Sequence, residues 1–468
     1  LKKLYIFAKI NNENKIIDIM KKQYNLFLIM AMLFFVMSVN SFGQNIEQTI
    51  LNAKDGLPKS QYNLGLYYFN GQGVEQNYEK AVYWWTKSAN QGLAYAQYNL
   101  AMCYQQGKGV EKDDNKAFFW FNKAASQGDG DSEYNLGYCY FEGKGTQQDM
   151  VKAVEYYKKA AQKNIVEAEY NLGLAYFNGQ GVEKDNEKAF YWLKKSDVQS
   201  NKDVSYALAK CYDNGYGTQK DVVKAVSYYE KASNLGNAKA ASMLGDCYLK
   251  GRGVSKDYKK AISYYNKAAE QGDEDAIYNL AKCLSNGDGV KQDKKKAAEL
   301  YSKAAEKGNV KAEYNLGLCY YNGDGVKKDQ KKAVSLFEKS AQNGDEDAQY
   351  NLGLCYFEGN GVEQNFEKAV YWWTKAADKG SNRAQLNLGY YYSEKSTDVN
   401  HYAKAVEYFT KAANQNAEAQ YNLGLCYVYG HGVEKSKEKA LFWFNKASTQ
   451  GNEKARKAIN TVNNMKNF

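Results

Sequence analysis

Proline is all but missing: Pro58 is the only one in 468 residues. Glycine is common (39), so the punctuation falls to glycine, which predicts helices joined by tight glycine turns. Arginine occurs only at Arg252, Arg383 and Arg456, and acids are interspersed with the lysines throughout. Nucleic-acid readers concentrate Arg and Lys on one face, so no nucleic-acid partner is expected. Histidine occurs only at His401 and His431, both read as solvated loop residues, which leaves little material for a catalytic triad or a zinc centre. Beyond residue 44 no stretch is apolar enough to span a bilayer.

What is present begins with an address. Residues 1–43 hold six lysines and two acids, so much of the formal net charge of +10 sits there. Met20-Lys21-Lys22 precedes an apolar run, Asn25 to Met37, and then small residues at Ser41 and Gly43. A basic stretch, a short apolar core and small residues before a cleavage point make a secretory signal, placing cleavage near Gly43/Gln44. Residues 1–19 read as sequence upstream of a start at Met20. An uncleaved anchor is the competing reading. The protein is expected to be exported, to a bacterial periplasm or beyond.

The remainder is one phrase repeated. With the tyrosine of Tyr-Asn-Leu-Gly as register zero, the register falls at Tyr62, Tyr98, Tyr134, Tyr170, Tyr206, Ser242, Tyr278, Tyr314, Tyr350, Leu386 and Tyr421. Every step is 36 residues except the last, which is 35, giving eleven repeats across 57–454 without a linker. Register +2 is always Leu, +3 is Gly or Ala, +6 is Tyr except at Leu284, +19 is always Ala, and +18 and +25 are always Lys. The periodicity predicts a first helix over −3 to +8, ended by a Gly-x-Gly pair, and a second over +16 to +28, capped by Asp or Asn near +15 to +17. Small residues at +3 imply a neighbouring helix packed too closely for a larger side chain, with the aromatics at +22/+23 supplying the bulk. Residues 44–56 read as an isolated second helix and 455–468 as an isolated first helix, each a cap.

The stretch 312–333, Ala-Glu-Tyr-Asn-Leu-Gly-Leu-Cys-Tyr-Tyr-Asn-Gly-Asp-Gly-Val-Lys-Lys-Asp-Gln-Lys-Lys-Ala, resembles the Sel-one-like repeat, a relative of the tetratricopeptide repeat. The likeness covers essentially all of 57–454. It implies an all-α fold, a right-handed αα superhelical solenoid of eleven helix-turn-helix repeats used as an adaptor in protein assemblies, often exported in bacteria. The tenth repeat departs from it, with 393–401 in place of the glycine loop.

The residues offer little chemistry. All eight cysteines sit at register +5, none closer than 36 residues to another. Equivalent positions in stacked repeats lie about 8–10 Å apart, and a disulfide needs Cα atoms within about 7 Å. Buried thiols acting as small hydrophobes are expected, with no metal and no cofactor. The Gly-x-Gly loops follow a helix and lack the Walker lysine, so they are not phosphate loops. The lysines at +18 and +25 read as stems covering the core edge.

The candidate surface lies on the first helix, which lines the concave side in tetratricopeptide-like arrays. Register +1 is Asn at Asn63, Asn99, Asn135, Asn171, Asn279, Asn315, Asn351, Asn387 and Asn422. An amide ladder suits an extended peptide, although bonding between helices is the equal alternative. Register +4 is Leu66, Met102, Tyr138 and Leu174 early, Leu318, Leu354, Tyr390 and Leu425 late, and Lys210, Asp246 and Lys282 between, predicting two apolar stretches around a polar centre. The expected function is therefore an exported scaffold binding a protein or peptide partner on the concave face, and no enzyme. An envelope-associated hydrolase, or a β-lactam- or peptidoglycan-related binding protein, is the alternative.

Overall fold

The computed structural model describes residues 46–198, 201–394 and 399–465. The signal read within 1–43 lies outside the described residues, as do 395–398 of the tenth repeat and the last three positions of 455–468. Among the described residues there are 24 helices and no strand, and no helix is long and apolar enough to cross a membrane. The chain divides into two compact units, one ending at Asp221 and the other beginning at Val222. Each is an all-α solenoid of two-helix repeats.

The first unit opens with α1 (46–54) and continues through α2 (Pro58–Asn70), α3 (Tyr78–Asn90), α4 (Ala94–Gln106), α5 (Asp114–Ala125), α6 (Gly130–Glu142), α7 (Met150–Gln162), α8 (Val166–Asn178), α9 (Asn186–Lys195) and α10 (Lys202–Asn214). The second contains α11 (Val222–Asn234), α12 (Ala238–Lys250), α13 (Tyr258–Glu270), α14 (Glu274–Asn286), α15 (Lys294–Glu306), α16 (Val310–Asn322), α17 (Gln330–Gln342), α18 (Glu346–Glu358), α19 (Phe366–Asp378), α20 (Asn382–Glu394), α21 (Val399–Ala412), α22 (Ala417–Tyr429), α23 (Lys437–Thr449) and α24 (Glu453–Asn463). Within each unit, from α2 onward, each helix packs on its neighbours in sequence.

The boundaries follow from local chemistry. Second helices are capped at register +15 by Asn77, Asp113, Asp149, Asp185, Asp257, Asp293, Asp329, Asn365 and Ser436, whose side chains accept from the N–H three residues on. First helices end in a left-handed glycine. Gly107, at φ 70°, donates its N–H to the Cys103 carbonyl, and the next N–H, of Lys108, reaches the same oxygen at 3.1 Å. The second loop glycine answers to a different need. A Cβ on Gly325 would overlap the Lys294 carbonyl, and one on Gly361 the Gln330 carbonyl. The loop thus lies directly on the first turn of the preceding second helix.

Two helices depart from the expected spans. Helix α9 stops at Lys195, three residues early, with Ser196 in the C-cap. In the tenth repeat, which lacks the glycine loop, α21 starts at Val399, so His401 is helical, not the loop residue expected; its ring lies 5.7 Å from that of Tyr392. His431 does sit in its loop, but stacked on Tyr402 at 4.3 Å.

Within each unit the core sits between the two helices of a repeat and the next. The register +3 glycines meet register +23 rings: a Cβ on Gly65 or Gly353 would overlap Trp85 or Trp373, and one on Gly317 would lie 2.6 Å from Phe337. Trp85 and Trp373 each donate an indole N–H to a register-zero carbonyl, of Tyr62 at 3.1 Å and Tyr350 at 3.2 Å. These rings are almost fully buried, at 2% exposure each, without an unsatisfied donor.

Candidate functional site

The first helices carry, on the side away from the Leu/Ala stripe, registers 0, +1, +4 and +8. The asparagines at +1 are half-buried except for Asn63, which is exposed. Five of them have amide nitrogens engaged within the fold, Asn279 by donating to Asp246 at 3.3 Å. Asn135, Asn315, Asn351 and Asn422 each donate to a carbonyl four residues back, at 2.8–2.9 Å. Asn351 also donates to the Tyr314 hydroxyl at 3.0 Å, and Asn422 to that of Tyr390 at 3.1 Å. Burial raises the Tyr62, Tyr98, Tyr134 and Tyr278 phenols, and the asparagine of the following repeat acts against it. Donation to a carbonyl fixes which amide atom is nitrogen, so in Asn351 and Asn422 both hydrogens are committed and Oδ1 is the open atom.

Register +4 forms the floor between successive first helices. Leu318 and Leu354 are half-buried against one core cluster and Leu425 against another. Four cavities open along this register. One of about 290 Å³ is lined by Tyr138, Phe141, Val154, Tyr157, Asn171 and Leu174. Another of about 210 Å³ follows at Tyr170, Leu174, Phe177, Tyr206 and Lys210. In the second unit, about 580 Å³ lies among Leu354, Phe357, Trp373, Asn387, Tyr390 and Tyr391. The fourth, about 610 Å³, is polar, and includes Asp246, Lys250, Asn279 and Lys282. The structure therefore brings Asn171 together with Leu174, and Asn387 with Leu354.

The electrostatics of this face come from burial. The Tyr314 hydroxyl is pushed up to about 12 by burial first and by Asp347 next. Tyr170 is pushed up to about 12 by burial, with Asp203 adding. Asp275, beside the polar cavity, is raised by burial and by the Asp273 and Glu274 carboxylates. These phenols are neutral hydrogen-bonding groups across the physiological range.

The lysine rows and the thiols serve the fold. Register +18 ammonium groups lie over register +6 rings, as Lys332 over Tyr320 at 4.3 Å and Lys368 over Tyr356 at 5.0 Å. All eight cysteines are buried and none forms a disulfide. Among the described residues no group of three or more His, Cys, Asp or Glu side chains is placed to hold a metal ion.

Sequence reasoning missed one set of residues, at register −1. Gln61, Gln97, Gln349, Gln385 and Gln420 are buried, and each donates to a carbonyl at the end of the preceding second helix, at 2.7–3.2 Å. Their own oxygens accept from register +29 in three repeats: Gln91 to Gln61 at 2.8 Å, Gln127 to Gln97 at 2.7 Å and Gln450 to Gln420 at 3.0 Å. Where −1 is Glu133, +29 is Lys163 and the pair lies at 2.7 Å. The pairing is not uniform in the sequence: Gln meets Gln at 61/91, 97/127, 385/415 and 420/450, but position 349 is Gln with Lys at 379 and position 169 is Glu with Gln at 199.

A family profile described as the Sel1 repeat matches eleven segments: 58–93, 94–129, 130–165, 166–196, 203–237, 238–273, 274–309, 310–345, 346–381, 382–416 and 417–452. The chain belongs to the Sel1 repeat family. Sel1 repeat proteins generally act as scaffolds for protein–protein interaction. The chain is similar to a protective antigen present in uropathogenic Escherichia coli strains that displays an SLR fold. The identity is 34%, over 89% of this chain and 90% of that one, with a TM-score of 0.72. It is also similar to a Sel1 repeat protein from Oxalobacter formigenes, at 30% identity over 64% of this chain and 87% of that one, with a TM-score of 0.52. None of the curated proteins compared matches the sequence.

Proposed function

We propose that this Sel1 repeat protein is an exported scaffold that holds an extended peptide segment of a protein partner along its first helices. One observation carries the reading: four cavities recur at the same register, each between first helices of successive repeats. Apolar cavities at Leu174 and Leu354 suit apolar side chains of the ligand. The asparagine rows suit its backbone, with one refinement. Because the Asn351 and Asn422 amide hydrogens are already committed, their oxygens would accept from peptide N–H groups. Export rests on the sequence of residues 20–43 alone.

Capture of partner from an envelope extract tests this. Leu354→Asn and Asn387→Ala, both lining the second unit's apolar cavity, are expected to lower capture about tenfold or more, the scale of one lost buried contact. Far-UV circular dichroism is expected to be unchanged. Full capture by both variants would sink the reading.

A further inference from the structure

The polar cavity breaks the pattern of its neighbours in a specific way. Register +4 supplies Asp246 and Lys282 where eight of the other nine repeats place Leu, Met or Tyr and the ninth places Lys210, and register +1 supplies Met243 and Asn279. Asp246 is fully committed: it accepts from the Tyr265 hydroxyl at 2.6 Å and from Asn279 at 3.3 Å, and it pairs with Lys250 at 3.5 Å. Asp275 accepts from Asn309 at 3.0 Å and Asp288 from Asn286 at 3.1 Å. The cations are less well served. Among the described residues, Lys256 lies over the Tyr258 ring at 4.5 Å, and the Lys282 and Lys311 ammonium groups make no hydrogen bond or ion pair, although Lys311 is near enough to Asp275 and Asp345 to act against the raising of both carboxyls. With Asp246 and Lys250 paired, the lining holds three further ammonium groups, Lys256, Lys282 and Lys311, against two further carboxylates, Asp275 and Asp288.

We propose that this cavity is a carboxylate subsite, with Lys282 as its main donor and Lys311 in support, and that it receives an acidic group of the bound peptide. The proposal rests on the peptide-binding reading above and adds its charge chemistry. A carboxylate is the complement of ammonium groups gathered at one cavity, and a charge-assisted hydrogen bond to it is shorter and stronger than a neutral one. The apolar cavity at Leu354 and Tyr390 lies three repeats further along the same unit. At about 8–10 Å per packed helix, that spacing is about seven to nine residues of extended chain. The ligand then carries an acid and an apolar anchor separated by about that length.

The test uses the full chain against immobilised random dodecapeptides with both ends blocked, and a second set with free C-terminal carboxylates. The expected result is retained peptides enriched in Asp or Glu at one place relative to an apolar residue. Enrichment only in the second set assigns the carboxylate to a chain terminus; enrichment in the first assigns it to a side chain. Lys282→Ala is expected to weaken acidic peptides by about ten- to a hundredfold. Lys282→Glu is expected to turn the preference toward Lys and Arg. Because Lys282 is exposed, both variants are expected to fold, as circular dichroism will report. Retained peptides without acid enrichment, or an acid preference unchanged by Lys282→Glu, overturn the subsite and leave the peptide reading standing. Retention of no peptide at all overturns both.

Discussion

At the scale of single residues, the thiols show how burial replaces reactivity. Burial pushes Cys139 and Cys355 up to about 12, and Cys103, Cys211, Cys283, Cys319 and Cys426 to about 11. None of the eight is expected to react with a disulfide reagent at pH 8 in the native protein, and all eight are expected to react once it is unfolded. The same shifts set an alkaline limit. An unfolded thiol ionises near about 8.5, well below the folded value, so the unfolded state sheds its proton first. Stability is full below that pH and declines upward until the folded thiols themselves ionise. Each thiol contributes about 1.4 kcal/mol per pH unit to the slope within the window. The urea midpoint is expected to fall between pH 8.5 and 10.5, and to fall less steeply in a Cys139→Ala, Cys355→Ala variant. Equal slopes would show that these thiols do not set the limit. The buried tyrosines titrate with the same sign and steepen both curves.

At the scale of helices, the close approach at register +3 decides stability. Gly353→Ala removes a helix-weakening glycine, a gain of about 1 kcal/mol. It also drives a methyl into Trp373, an overpacking cost of about 1–3 kcal/mol. The cost is expected to win, because the Trp373 indole is held by the Tyr350 carbonyl and cannot turn aside. Gly424→Ala faces Phe444, which has no such tether, and is expected to be the milder change by thermal melting. The helices themselves were legible in the sequence because Leu, Ala and aromatic positions recur with helical spacing. The capping aspartates were legible because their position hardly varies. The clasp at −1 was hidden for the opposite reason: that position is Gln, Glu, Ser, Ala or Ile along the chain, and its meaning lies in partners 30 residues away. The asparagine row was visible, but not which atom of each amide stays open, since that depends on the tyrosine one repeat earlier. The early start of α21 followed from a missing loop whose effect on the helix the periodicity does not report.

At the scale of the whole chain, stability is expected to be a sum over repeats and their junctions. Deleting 310–345, one full repeat, leaves every junction with the groups it needs. Gln349 then meets the Ala305 carbonyl in place of that of Ala341, and Gly361 meets the first turn of α15 in place of that of α17. The variant is expected to keep its helicity per residue and to unfold cooperatively. Deleting 328–345 brings two first helices together with no second helix between them, and is expected to lose both properties; equal behaviour of the two deletions would refute junction equivalence. The contact made by the second loop glycine is with backbone, so it is indifferent to the side chains on either side. Near-identical coding segments recombine out of step, and here each such event adds or removes a unit whose ends already fit. The number of repeats becomes a heritable quantity that selection can change in single steps, lengthening or shortening the row of first helices without redesigning it.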